Sequence, residues 1–175
     1  YIMIDFLFPT ERYLDLTVGV TSGHTYGHSH TKGDKPKAPT HYFRLASFKA
    51  FSTTDGIEYA FNYLGRTDAN SNKIAITGLD FTLKQREGKM VSYLLQSEIW
   101  HKNSENASGE ANREAGLYIF NQFGLTPRRS FGFRLDMYKN LTKQNAITEK
   151  VINNISYGIS TEFTWKSSEF VTIRS

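Results

Sequence analysis

Residues 155–165, "ISYGISTEFTW", decide the fold because their side chains separate into two chemical classes with a period of two. The apolar class comprises Ile155, Tyr157, Ile159, Phe163 and Trp165, whereas the residues between them are small or polar. Successive side chains of a β-strand point to opposite faces, so this period predicts a strand with one apolar and one polar face. A shift of one residue would exchange the two faces.

The same alternation recurs along most of the chain, and helical spacing of apolar residues is nearly absent. It is clear in residues 13–20, 56–66, 77–84, 92–100 and 130–138, and weaker in residues 2–8, 42–51, 115–125 and 170–174. Together with residues 155–165, these segments predict about ten strands, most of them with one apolar face.

The connections between the predicted strands differ in length. The short ones are residues 9–12, 52–56, 85–89, 126–130 and 166–169, and the long ones are residues 22–40, 67–72, 102–113 and 140–153. Alternation of short and long connections is typical of an outer-membrane barrel, with periplasmic turns at one rim and extracellular loops at the other. The apolar face would be a large exposed patch in water but is ordinary in lipid.

The predicted fold class is therefore all-β, an antiparallel up-and-down transmembrane β-barrel with about ten strands visible, which could be part of a larger barrel. With 175 residues, we expect one outer-membrane β-barrel domain over residues 1–175, incomplete at one or both ends. A soluble barrel, with its rings packed inside, is the alternative.

Composition excludes several classes of function. The chain has no cysteine, which removes disulfides, thiolate metal sites and cysteine nucleophiles. Its net charge is +4, but Lys and Arg alternate with acids instead of forming one basic stripe, so we expect no binding to nucleic acid. No motif for a catalytic nucleophile is present, and we expect no enzymatic activity.

Charged residues of the predicted polar face are candidates for lining a pore. They are Asp15, Arg44, Glu58, Arg66, Asp80, Lys84, Glu98, Arg134, Asp136, Glu162 and Lys166. Rings of such charges set the selectivity of channels. Alternatively, opposite charges on neighbouring strands form ladders that satisfy the interior of a barrel. Both roles are compatible with the sequence.

A histidine-rich stretch, residues 20–43, contains four of the five histidines. His24, His28 and His30 are the candidate metal ligands, because imidazole binds Zn, Cu and Ni. The spacing matches no standard zinc motif, so a site would need all three histidines or an added carboxylate, such as that of Asp34. The alternative is a solvated loop whose histidines hydrogen-bond and stack with nearby tyrosines.

Longer stretches of the chain resemble a family of bacterial outer-membrane β-barrel proteins, often labelled zinc-regulated TonB-dependent outer membrane receptors. They are "FLFPTERYLDLTVGVTSGHTYGHSHTKGDKPKAPTHYFRL" (6–45), "NYLGRTD" (62–68), "GLDFTLKQREGKMVSYLLQSEIWHKN" (78–103), "EAGLYIFNQFGL" (114–125) and "SEFVTIRS" (168–175). The resemblance covers nearly the whole chain but includes neither a plug domain nor a TonB box.

This resemblance implies an outer-membrane location in a Gram-negative-type envelope and a link to metal supply. The expected function is a pore or receptor for solute uptake, with zinc or another divalent metal at the histidine-rich stretch. The expected partners are the lipid bilayer, envelope proteins, and a small solute or metal ion. The alternative is a structural or interaction barrel with a closed lumen, whose extracellular loops bind an envelope partner.

Overall fold

The computed structural model describes residues 2–21, 38–68, 71–141, 155–166 and 172–174. Their regular structure consists of strands, which form one sheet in the order β1 to β10. The strands are β1 (Ile2–Leu7), β2 (Tyr13–Thr21), β3 (Thr40–Ala50), β4 (Gly56–Thr67), β5 (Lys73–Glu87), β6 (Met90–Glu105), β7 (Ala111–Thr126), β8 (Arg129–Asn140), β9 (Ile155–Lys166) and β10 (Thr172–Arg174). The described residues include no helix that is long and apolar enough to cross a bilayer.

Each strand pairs antiparallel with its neighbours along the chain, which confirms the predicted all-β, up-and-down arrangement. Over the described residues the sheet is open, because β1 pairs only with β2 and β10 only with β9. The sequence predicts a closed barrel, which would need a further pairing at these two edges. The described residues therefore confirm the predicted order and direction of the strands. They do not include the pairing that would close the sheet into a barrel.

Two of the predicted long connections are wrong. Residues 102–105 belong to β6 and residues 111–113 to β7, so the connection is a turn over residues 106–110. The turn is compact because the Asn106 side-chain oxygen accepts hydrogen bonds from the backbone N–H groups of Ser108 and Glu110, at 3.1 and 2.8 Å. The connection between β4 and β5 is also short, because β4 ends at Thr67 and β5 begins at Lys73, and the Asn72 backbone N–H donates a 2.9 Å hydrogen bond to Asp68 Oδ1. Of the four connections predicted to be long, only residues 22–39 and 141–154 are therefore long.

The register aligns one apolar side chain from each of nine neighbouring strands in a continuous row. The row comprises Phe6, Leu16, Leu45, Phe61, Leu79, Ile99, Leu117, Met137 and Tyr157. Side chains two positions away along each strand lie on the same side of the sheet. We call this side the apolar face and the opposite side the polar face.

The apolar face is not covered by any other described part of the chain. The exposed fractions of Leu79, Ile99 and Ile159 are 57%, 54% and 78%. The buried hydrophobic residues among those described are only Ala46 and Ala60, and none of the large side chains described is fully buried. A single sheet cannot bury its own apolar face, so this face needs a cover from outside the described residues.

A carboxylate joins the β3–β4 turn to β5. Asp55 Oδ1 accepts a 2.8 Å hydrogen bond from the backbone N–H of Arg86, where a bulge between Gln85 and Arg86 interrupts the pairing with β6. The Asp55 backbone N–H donates to Ser52 Oγ at 3.0 Å, and Thr54 Oγ1 donates to Asp55 Oδ1 at 3.2 Å. The hydrogen bond from Arg86, followed by those with the hydroxyl groups, lowers the pKa of Asp55 below its ordinary value.

We expect Asp55 to make the stability of the sheet depend on pH. Its pKa is lower in the folded state, so its contribution is complete above the unfolded-state value of 3.8 and is lost as pH falls through the folded-state value. Urea unfolding measured at a series of pH values below 5 should show a steeper loss of stability in the wild type than in Asp55→Asn. Glu11→Gln is the control, since Glu11 lies in an exposed turn. An unchanged pH dependence in Asp55→Asn would contradict the assignment.

Candidate functional site

All the charged residues that were predicted from the sequence to line a pore lie on the polar face. They are Asp15 in β2, Arg44 in β3, Glu58 and Arg66 in β4, Asp80 and Lys84 in β5, Glu98 in β6, Arg134 and Asp136 in β8, and Glu162 and Lys166 in β9. Two concavities, of about 730 and 560 Å³, are lined mainly by this face. The polar face is therefore the concave side of the sheet, and we take it as the candidate functional site.

Arg44 is the centre of an ion-pair network that spans three strands. Its Nη2 lies 2.7 Å from Glu58 Oε1 and 3.4 Å from Asp80 Oδ1. Asn62 Nδ2 donates a 2.6 Å hydrogen bond to Asp80 Oδ2. The Arg44 and Asp80 side chains are each only about a quarter exposed, at 25% and 24%. Partial burial reduces screening by water, so this pair is stronger than an ordinary surface salt bridge.

Glu98 extends the acidic side of this network. It lies directly opposite Asp80 in the register, and both residues line the 560 Å³ concavity. Like charges at directly opposite positions of a sheet repel each other. Within the described residues the Glu98 carboxylate has no hydrogen bond or ion pair, so it remains a fixed negative charge facing the concavity.

A second network lies on β7 and β8. Arg134 Nη2 is 2.7 Å from Asp136 Oδ1, and its Nε donates to the same oxygen at 2.8 Å. The Arg134 guanidinium carbon lies 4.1 Å from the centroid of the Tyr118 ring. Tyr118 is the register partner of both Glu98 and Asp136, so it separates the two carboxylates. The guanidinium is thus held by a carboxylate and an aromatic face.

Sequence reasoning missed two polar contacts on the same face. Lys102 Nζ lies 3.1 Å from Glu114 Oε2, and Thr17 Oγ1 donates a 2.7 Å hydrogen bond to Asp5 Oδ1. Lys102 was assigned to a loop, although its even spacing from Glu98 places it on the polar face. The alternation, continued beyond residue 100, would have identified this pair.

Trp100 is a large aromatic residue of the polar face. It lies within β6, which continues to Glu105, and it lines the 560 Å³ concavity. A β carbon at Gly116, its register partner, would collide with the Trp100 indole, so only glycine leaves room for this ring. The ring of Tyr138 lies 6.1 Å away, centroid to centroid. Trp100 therefore helps to fill the concave side.

The predicted metal ligands His24, His28 and His30 lie outside the described residues. His41 and His101 are described, and both lie on the apolar-face side, where they pair with Gly65 and Thr77. The described part of the chain contains no group of three or more His, Cys, Asp or Glu side chains that could hold a metal ion. A metal site at the histidine-rich stretch therefore stays a prediction.

No family model, curated protein or solved structure matches this chain. The apolar face and the charged concave face are therefore the features that indicate its function. Fixed charges of both signs along a concave surface can bind, orient or repel dissolved ions.

Proposed function

We propose that the sheet is the wall of an outer-membrane β-barrel that passes or receives a small solute, with lipid on the apolar face. The observation that carries this proposal is the uncovered apolar row across nine strands, opposite a concave face lined by charged residues. Lipid covers such a face without any second protein layer. The polar face would then line a wet lumen.

The height of the apolar band supports a bilayer. Arg129 and Lys139 bound the apolar residues of β8 on this face. The strand between them is roughly 33 Å long at the usual rise per residue. At a strand tilt of about 40°, this length crosses about 25 Å, which is the usual height of the apolar band in outer-membrane barrels.

A closed lumen is the second candidate, and the paired guanidinium groups favour it. Arg44 is held by Glu58 and Asp80 on the two following strands, and Arg134 by Asp136 within β8, so these charges would be satisfied in a closed interior. In that case the barrel would serve as a structural or interaction protein whose loops bind an envelope partner. The Glu98 carboxylate favours the open lumen, because it lies at the concave surface with no hydrogen bond or ion pair to the described residues.

Conductance measurements distinguish these candidates. The full chain, extracted in detergent and added to a planar bilayer, is expected to give stepwise ion currents if the lumen is open. Insertion without current would support the closed barrel. A monomer that is stable in plain buffer without detergent, with its aromatic rings protected from solvent, would overturn both membrane proposals.

The proposed solute uptake includes a link to zinc or another divalent metal through His24, His28 and His30. Calorimetric titration of zinc into the full chain is expected to show binding that is lost in the His28→Ala/His30→Ala double variant. Equal binding by the wild type and the variant would remove the metal from the proposal. It would leave the barrel itself unaffected.

A further inference from the structure

The 730 Å³ concavity lies at the end of the sheet that carries the β5–β6 and β7–β8 turns, which we call the short-turn end. Six basic residues line it, namely Lys84, Lys89, Arg128, Arg129, Arg134 and Lys166. Lys84 and Lys166 lie near the ends of β5 and β9. Lys89 and Arg128 belong to the β5–β6 and β7–β8 turns, residues 88–89 and 127–128. Three separate hairpins therefore bring positive charge to one concave surface.

Four of the six, Lys84, Lys89, Arg128 and Lys166, differ from the ion-paired basic residues of the polar face. Arg44, Lys102 and Arg134 each form an ion pair with a carboxylate. Over the described ranges, Lys84, Lys89, Arg128 and Lys166 have no ion pair. The surplus of positive charge at this end is therefore not neutralised by the described residues.

Glu162 is the acidic residue that lines this concavity, and its carboxylate is already engaged. Thr164 Oγ1 donates a 2.6 Å hydrogen bond to Glu162 Oε1. The concavity also offers an uncharged donor, because Gln122 Nε2 donates to Ser130 Oγ at 2.6 Å. The Ser130 hydroxyl accepts that bond and keeps its own proton for an acceptor in the concavity.

We propose that this concavity binds a small dissolved anion that carries two or more phosphate or carboxylate groups. Several cations around one concave surface match an anion with several charged groups, since charge-assisted hydrogen bonds are the strongest available. The other concavity, with Glu58, Asp80 and Glu98, repels the same anion and keeps it at the short-turn end. The inference rests on the proposed function in that the concave face is taken as the lumen.

Inorganic pyrophosphate is the probe for this site. Calorimetric titration into the full chain in neutral detergent should give binding that weakens as salt increases. Lys84→Gln should raise the Kd by about tenfold, because it removes a charge-assisted contact. Lys73→Gln is the matched control, since Lys73 lies in the same strand but on the opposite face, and it should leave the Kd unchanged. No binding, or an equal loss in both variants, would overturn the proposal.

A lipid phosphate could supply the same chemistry, and vesicles separate the two sources. Pyrophosphate affinity that is equal in phosphatidylcholine vesicles and in vesicles containing phosphatidylglycerol assigns the site to a dissolved anion. Loss of binding in the phosphatidylglycerol vesicles would overturn that assignment.

Conductance separates this proposal from the proposed function. Current without pyrophosphate binding would overturn the anion site and leave the pore intact. Binding that depends on Lys84 but occurs without current would support the anion site and contradict the open pore.

Discussion

Replacing Leu79 by arginine is expected to lower the free energy of unfolding of the bilayer-inserted protein by about 2–4 kcal/mol. Leu79 lies near the middle of the apolar row, and its exposed fraction is 57%. A guanidinium at that position would have to enter the hydrocarbon core if lipid covers the face. Urea unfolding of the protein in phosphatidylcholine vesicles measures the change.

Two arginine substitutions in the same strand are the controls. Ala75→Arg stays on the apolar face but lies near the beginning of β5, at the end opposite the β5–β6 turn and nearer the membrane interface. Its cost should therefore fall to about 0–1 kcal/mol. Thr82→Arg lies on the polar face opposite Glu58 and should cost little or nothing. If Leu79→Arg were no more costly than Thr82→Arg, lipid would not contact the apolar face.

Replacing Arg44 by glutamine is expected to destabilise the protein by about 1–3 kcal/mol, because a carboxylate that loses its partner is left partly desolvated. Glu58 and Asp80 would lose their common cation, and Glu98 opposite Asp80 adds a further negative charge. The partial exposure of the pair places the expected cost below that of breaking a fully buried ion pair. Urea unfolding in vesicles measures this change as well.

Two variants test whether this effect belongs to the network. Lys49→Gln removes a positive charge from the same strand, and Lys49 has no carboxylate partner in the described part of the chain, so the change should stay within about 0.5 kcal/mol. Arg44→Lys should recover part of the lost stability, since an ammonium group keeps the charge but not the fork of donors. A loss in Lys49→Gln equal to that in Arg44→Gln would show a general charge effect instead.

The alternation of side chains predicted the all-β strand content and the two faces correctly, because both depend on a property of single strands. A strand with period two places Glu58 and Asn62, or Asp80 and Lys84, on one side whatever its neighbours are. For this reason all the predicted pore-lining residues lie on one face, although their role in a pore stays a prediction.

Strand ends and pairings could not be predicted in the same way. Residues 102–105 are polar on both faces, so their sequence resembles a loop, yet hydrogen bonding to residues 111–114 keeps them in β6. The contact from Arg44 to Asp80 crosses β4, and it depends on the register of three strands. A pattern within one strand carries no information about register between strands.

The neighbour-only pairing of the strands has a consequence for how the chain folds. Every hairpin can form as soon as its two segments are available, without waiting for a distant part of the chain. Most hairpins join two strands that are separated by only a few residues, so closing each hairpin costs little chain entropy. Low contact order of this kind favours rapid folding. The topology therefore suits a polypeptide that assembles progressively, one hairpin after another.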